Sequence, residues 1–120
     1  MGKSSKRYGD ATAMAGEFLV MEKLYRLGCQ PALTVGKAKS IDILAKTESG
    51  RIYEISVKSV RGGGKWGVPT DDLSSKAGLI CVFLLYSDFE DLRREPDIFV
   101  IPAPDVERLK ERWFEGSAVY

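Results

Sequence analysis

Residues 41–60 read IDILAKTESGRIYEISVKSV, and this stretch predicts two strands joined by a hairpin. The first strand covers residues 41–46, Glu48-Ser49-Gly50 is typical of a turn, and the second strand covers residues 51–60. The second strand alternates between an apolar face and a polar face, with Tyr53, Ile55 and Val57 on one and Glu54, Ser56 and Lys58 on the other. The second strand of the hairpin is therefore predicted to present Glu54, Ser56 and Lys58 in a row on one face of the sheet.

The elements on either side of the hairpin complete a sheet with helices packed against it. Residues 10–27 predict a helix, with Gly28 as its C-cap and one apolar face formed by Met14, Phe18, Met21, Leu24 and Tyr25. A short strand is expected near residues 32–35. Residues 79–86 are apolar on both faces, as a doubly covered central strand requires.

The remaining elements are one helical turn within residues 70–77, a strand over residues 98–101 and a closing helix over residues 104–114. The predicted order is α-β-β-β-(short α)-β-β-α. We expect an α/β or α+β fold with a central mixed sheet flanked by helices. The 120 residues suffice for one domain, over residues 9–120, preceded by a basic arm at residues 1–8.

The composition excludes several classes of site. The chain has no histidine, which rules out His-based triads and HExxH zinc sites. Its two cysteines are too few for a disulfide framework, so a reducing compartment is expected. No run of about 18 apolar residues is present, and no apolar segment follows the basic start. We therefore expect a cytoplasmic protein without a membrane partner.

The formal net charge of +1 hides an uneven distribution. Residues 1–68 hold 12 basic and 6 acidic side chains, whereas residues 69–120 hold 6 basic and 11 acidic ones. The asymmetry is compatible with chance and a solvated acidic helix. It is equally compatible with a basic half that faces a polyanion.

Two acidic residues stand where acids are disfavoured. Glu17 lies within the apolar arc of the first helix, and Asp42 lies between two isoleucines in a strand. Glu17 at a cleft edge and Asp42 as a turn residue are the simpler interpretations. The hairpin, however, brings Asp42 near Lys58, and two carboxylates beside an ammonium suit a divalent cation such as Mg²⁺ or Mn²⁺.

Several of these short segments, taken in order, resemble the PD-(D/E)xK nuclease superfamily, and its small resolvase-like bacterial and phage members above all. The segments are Gly16-Glu17-Phe18, Ser40-Ile41-Asp42-Ile43-Leu44, Tyr53-Glu54-Ile55-Ser56-Val57-Lys58 and the strand Asp97–Pro102. The resemblance covers about residues 12–115. It implies a restriction-endonuclease-like fold and a Mg²⁺-dependent endonuclease that hydrolyses DNA.

The resemblance also assigns roles to individual residues. Glu17 matches the acid of the first helix, Asp42 the metal-binding aspartate and Lys58 the catalytic lysine. The family pattern has Glu, Asp or Gln two residues before the lysine, where this chain has Ser56. Either Glu54 on the same strand face takes over as a ligand, or the site binds metal weakly or not at all. In the second case the chain is a degenerate member that binds nucleic acid or protein.

Contacts to nucleic acid are predicted at Lys39, Ser56, Arg61, Lys65 and Trp66. In the glycine-rich loop, basic side chains suit a phosphate backbone and Trp66 suits a stacked base, although a simple flexible loop also accounts for the glycines. A homodimer is expected, because cutting both strands of a duplex requires two sites.

Overall fold

The hairpin at residues 41–60 forms as predicted and is part of a five-stranded sheet in the computed structural model of the chain. The structure describes residues 2–34, 41–63, 65–67 and 72–115, with side chains described for 11–34, 41–63, 65–67 and 72–110. The elements in chain order are α1 (Gly2–Arg26), β1 (Gln30–Leu33), β2 (Ile43–Lys46), β3 (Ile52–Arg61), β4 (Leu79–Tyr86), β5 (Asp97–Pro102) and α2 (Ala103–Glu115).

The sheet is mixed, and its strands lie side by side in chain order from β1 to β5. β3 and β4 run parallel, and every other neighbouring pair is antiparallel. The parallel pair requires a crossover, which residues 62–78 supply. The described residues therefore form an α+β fold with a mixed sheet, as predicted, in which β1 and β5 are the edge strands.

Both faces of the sheet are covered, which explains why β4 is apolar on both sides. One core cluster lies on the α1 side and consists of Val20, Ile43, Ala45, Ile55, Val57, Val82 and Leu84. A second cluster lies on the α2 side and consists of Leu73, Leu79, Cys81, Phe83, Ala103 and Val106. Odd-numbered residues of β3 face the first cluster, and Glu54, Ser56 and Lys58 face the second.

The described part of the crossover, residues 72–78, forms two short turns at residues 74–75 and 77–78, whereas the sequence predicts one helical turn within residues 70–77. The Asp72 carboxylate accepts hydrogen bonds from the Ser74 amide at 3.0 Å and the Ser74 hydroxyl at 2.7 Å. Such an aspartate turn competes with helical hydrogen bonding, and this accounts for the difference. Residues 68–71 lie outside the described residues.

α1 begins earlier than predicted. Its backbone is helical from Gly2, so the segment expected as a separate basic arm continues the helix. The first proline of the chain is Pro31, and nothing earlier interrupts the helical hydrogen bonds. The helix ends at Arg26, and Gly28 follows it as the predicted C-cap, with a φ of 88° and a hydrogen bond from the Cys29 amide to the Leu24 carbonyl at 3.0 Å.

The buried face of α1 is not the one predicted. Thr12, Gly16 and Val20 face the sheet, whereas Met14 and Phe18 are 42% and 54% exposed. Tyr25 is also exposed, and Met21 and Leu24 pack only partly against the core. Small side chains on the inward face allow the helix axis to approach the sheet closely, which methionine and phenylalanine would prevent.

Over the described residues, neither helix combines the length and the apolar composition that crossing a membrane requires.

Candidate metal and nucleic-acid site

The candidate site begins where β2 and β3 separate. Pairing of β2 with β3 extends to Ile43 opposite Ile55, and the Asp42 amide still donates to the Ile55 carbonyl at 2.8 Å. The next β3 amide on this side, that of Val57, donates to Asp42 Oδ2 at 2.7 Å. A carboxylate oxygen thus replaces the strand carbonyl that would otherwise accept this bond, and it holds Asp42 at the fork between the strands.

β1 fixes the backbone of the same residue from the other side. The Thr34 amide donates to the Asp42 carbonyl at 2.9 Å, and the Thr34 hydroxyl donates to the Ile41 carbonyl at 2.7 Å. Asp42 is therefore held on both sides, by β1 through its main chain and by β3 through its side chain. Such positioning leaves Oδ1 of the carboxylate outside the hydrogen bonds described for this residue.

α1 reaches the fork because Gly16 lets it lie against β3. A Cβ atom at Gly16 would overlap the Ser59 hydroxyl and would lie 2.9 Å from Leu84 Cδ1. A larger residue at this position would therefore need Ser59 and Leu84 to shift. Glu17 follows directly and is half-buried at the edge of the helix–sheet contact.

Glu17 and Asp42 influence each other electrostatically. Burial raises the pKa of the Glu17 carboxyl, and the nearby negative charge of Asp42 raises it further. Two carboxylates from α1 and the β2–β3 fork thus share one region, and their repulsion is of the kind that a bound cation relieves. Among the predicted acids, these are the two whose charges influence each other in the described residues.

Lys58 follows Val57, and its side chain leaves the opposite face of the strand. In the register with β4 it lies opposite Phe83, next to the pair formed by Ser56 and Cys81. The positive charge of Lys58 lowers the pKa of the Cys81 thiol, but burial of the thiol raises this pKa by more. Lys58 is thus one residue from the amide that binds Asp42, on the α2 side of the sheet.

Glu54 lies on the same face as Lys58 but before Ser56, in register with Leu44 and Leu79. Two residues along a strand correspond to about 6–7 Å. The Asp42 carboxylate is turned toward Val57, three residues further along β3. Glu54 instead lines an open cavity of about 270 Å³ with Lys76 and the start of β4. Within the described ranges, no group of three or more Asp, Glu, His or Cys side chains is arranged to hold a metal ion.

Ser56 is 2% exposed, opposite Cys81 in the middle of the sheet. The position that the family pattern gives to an acid is therefore a buried one in this fold. Because an unpaired carboxylate is unfavourable there, a serine suits the packing. Its burial also keeps the Ser56 hydroxyl away from the surface at which a nucleic acid would bind.

Two residues predicted to contact nucleic acid make intramolecular contacts. Arg61 Nε donates to Thr12 Oγ1 at 2.8 Å, and the guanidinium carbon lies 3.9 Å from the centre of the Phe89 ring. The latter is a cation–π contact, so Arg61 connects β3, α1 and the segment after β4.

Trp66 is anchored in the α2-side core. Its Nε1 donates to the Leu84 carbonyl at 3.0 Å, and its ring meets Phe83 and Phe99 edge to face at centroid distances of 5.4 and 5.8 Å. These are the contacts of a packed core residue. Lys65 is exposed, and Lys39 lies outside the described residues.

Thr12, Gly16 and Ser59 help to position the site, although the predictions from the sequence do not give them this role. A glycine inside an otherwise helical pattern is a sign of close packing, and Gly16 provides that signal. Thr12 and Ser59 carry no comparable signal, because their partners belong to distant parts of the chain.

Comparison with known proteins finds no matching family model, no similar curated protein and no similar solved structure.

Proposed function

We propose that the chain is a metal-dependent endonuclease that hydrolyses phosphodiester bonds in DNA. The observation that supports the proposal is the pair of carboxylates, Glu17 and Asp42, gathered at the β2–β3 fork. Lys58 follows Val57, whose amide holds Asp42, and its side chain leaves β3 on the α2 side of the sheet, so the proposed reaction requires it to reach the phosphate from the side opposite α1. The order of these three residues along the chain is also the order on which the resemblance to the PD-(D/E)xK nucleases rests.

The donor set fits Mg²⁺ or Mn²⁺. Mg²⁺ is commonly held by one or two carboxylates, with water and phosphate oxygens completing its six ligands. Glu17 and Asp42 supply that number of carboxylates, and their mutual repulsion falls when a cation lies between them. When bound, the cation would polarise the phosphate and lower the pKa of a coordinated water.

The residues of the chain have separate roles in the proposed reaction. Glu17 and Asp42 would hold the divalent cation that faces the phosphate. Lys58 orients the attacking water and offsets negative charge on the phosphate. The water oxygen bonds to phosphorus as the bond to the leaving oxygen breaks. One water proton ends on that leaving oxygen, so the products are a phosphate monoester and a free hydroxyl.

The distribution of charge favours a polyanionic substrate. Residues 1–68, which include Glu17, Asp42 and Lys58, carry a net charge of +6. Affinity for DNA that depends on such charge falls as salt concentration rises.

The activity is tested on a mixed pool of duplex, single-stranded and branched DNA with Mg²⁺ or Mn²⁺. We expect cleavage by the wild type and a loss of at least about a hundredfold in Asp42→Asn and in Lys58→Ala. Asp42→Asn is chosen because the amide oxygen can still accept the Val57 hydrogen bond. Lys46→Ala and Glu90→Gln, at exposed positions, are the matched controls. Absence of cleavage by the wild type, or full activity of Lys58→Ala, refutes the nuclease proposal.

The identity of the second ligand is tested by calorimetry with Mn²⁺. We expect Glu17→Gln to weaken Mn²⁺ binding by at least about tenfold and Glu54→Gln to leave it unchanged. The reason is that Glu17 is the acid whose pKa the charge of Asp42 raises. The reverse result would make Glu54 the ligand.

A second candidate function is nucleic-acid or protein binding without catalysis. The burial of Ser56 favours it, because the family position for an acid holds a serine that is only 2% exposed. The discriminating variant is Ser56→Glu, with folding checked by circular dichroism. Absence of Mn²⁺ binding in the wild type and its recovery in folded Ser56→Glu would support this alternative.

A further inference from the structure

An apolar stripe runs along the side of α1 that faces away from the sheet. We define the outer stripe as Ala11, Met14, Phe18, Met21 and Tyr25. Met14, Phe18 and Tyr25 are 42%, 54% and 60% exposed, Ala11 is exposed, and Met21 lies at the margin of the core. The opposite side of the helix, which includes Gly16 and Val20, already packs on the sheet. α1 is therefore apolar on two sides, a pattern typical of a helix that is buried between two layers.

The spacing of the outer stripe indicates what kind of element covers it. Successive members are three, four, three and four residues apart, which is the a/d repeat of a coiled-coil seam. Side chains at this spacing insert between those of a second helix packed at a shallow angle. Packing against a strand or a flat surface does not require apolar side chains at this three-and-four spacing.

Charges beside the stripe select an antiparallel partner. In a parallel pair, Glu17 would face Glu22 of a second copy, and two carboxylates in contact are unfavourable. In an antiparallel pair, Glu17 lies beside Leu24 of the other copy and Glu22 lies beside Ala15. This arrangement avoids both like-charge contacts and places Met14 opposite Tyr25.

The exposed area is consistent with a small dimer interface. Aromatic and methionine side chains present roughly 200 Å² each when fully exposed. At the measured exposures, Met14, Phe18 and Tyr25 together offer about 300 Å² in each copy. A specific dimer needs about 500–600 Å² from each copy, of which these three side chains supply about half.

We propose that two copies of the chain associate through antiparallel packing of their α1 helices along the outer stripe. The proposal rests on the geometry of α1 and not on metal binding or catalysis. Its failure and the failure of the nuclease proposal are therefore distinguishable.

Association is tested by sedimentation equilibrium of the full chain from micromolar to submillimolar concentration. We expect a monomer–dimer equilibrium for the wild type and a dissociation constant at least about thirtyfold higher for Phe18→Glu, the factor expected of a central interface residue. Leu92→Glu is the matched control, because Leu92 is 95% exposed and lies outside α1. Circular dichroism verifies that both variants keep the helical content of the wild type. A monomeric wild type, or an unchanged dimer in Phe18→Glu, overturns the proposal.

Orientation is tested by disulfide trapping in a Cys29→Ser background, which removes the partly exposed native thiol. One preparation carries Met14→Cys and another carries Tyr25→Cys. In the antiparallel arrangement, mixing and mild oxidation produce a disulfide-linked heterodimer in preference to either homodimer. Efficient formation of a Met14→Cys homodimer indicates parallel helices and overturns the proposed geometry.

Discussion

Replacing Gly16 with alanine tests the contact that brings Glu17 to the fork. The added Cβ would overlap the Ser59 hydroxyl and would lie 2.9 Å from Leu84 Cδ1 and 3.1 Å from Ser59 Cβ. Overpacking of this kind costs about 1–3 kcal/mol of unfolding free energy, against a gain of about 1 kcal/mol from the better helix propensity of alanine. The difference is a net destabilisation of about 0–2 kcal/mol, and we expect a value near the middle, about 1 kcal/mol, measured by urea denaturation.

A double-mutant cycle with Ser59→Ala identifies the contact. The Ser59 hydroxyl is buried without a hydrogen-bond partner, so its removal alone should stabilise the fold by about 1 kcal/mol. It also removes the group that the new methyl overlaps. Gly16→Ala should therefore be less destabilising in the Ser59→Ala background, with a coupling energy of at least about 0.5 kcal/mol.

Gly78→Ala is the matched control, because a Cβ atom at Gly78 would meet nothing within 4 Å. We expect its unfolding free energy to stay within about 0.5 kcal/mol of the wild type. If Gly16→Ala were neutral or stabilising in both backgrounds, α1 would not lie against β3 as described, and the approach of Glu17 to Asp42 would lose its structural basis.

Three further substitutions test the electrostatics and the packing around the site. Glu17→Gln should stabilise the protein at neutral pH, because the raised pKa of Glu17 means that the folded state holds this proton more tightly, so stability falls as pH rises through that pKa. The gain in melting temperature should disappear below the ordinary glutamate pKa of 4.5, and an equal gain at all pH values would contradict the assignment. Trp66→Phe should lose about 1 kcal/mol in chemical denaturation, from the hydrogen bond to the Leu84 carbonyl, whereas weaker DNA binding at unchanged stability would assign the ring to the substrate. Arg61→Lys should lower stability by about 1–2 kcal/mol in thermal unfolding, because lysine cannot reproduce the Nε bond to Thr12, and an unchanged melting temperature would show that this bond contributes little.

The strands could be predicted from the sequence because their patterns are local. Alternation in β3 and the continuous apolar run of β4 each follow from how a strand meets one or two core layers. The buried face of α1 could not be predicted in the same way. Apolar side chains occur around much of the helix, and the inward face is decided by the fit of Gly16 against Ser59, a residue of another element.

The candidate site also combines features that a local sequence pattern predicts with features that depend on distant contacts. Asp42 can be singled out from the sequence because aspartate is rare in strands, and in the structure it lies at the fork between β2 and β3. Its actual role, accepting the Val57 amide, depends on where β2 leaves β3, which no short segment encodes. Trp66 illustrates the opposite case, since its aromatic partners Phe83 and Phe99 lie in distant strands and only the folded chain brings them to it.

The outer edge of β5 has a consequence for handling the protein. Between Asp97 and Pro102 this edge strand has four consecutive apolar residues, and Phe99 and Val100 are 46% and 63% exposed. Natural sheets usually interrupt such an edge with a lysine, a bulge or a proline, because unpaired strand amides otherwise act as a template for aggregation. In β5 the charged residue and the proline, Asp97 and Pro102, stand only at the two ends of the strand. Concentrated or partly refolded material should therefore precipitate through this strand. The substitution Val100→Lys should improve the solubility of the protein.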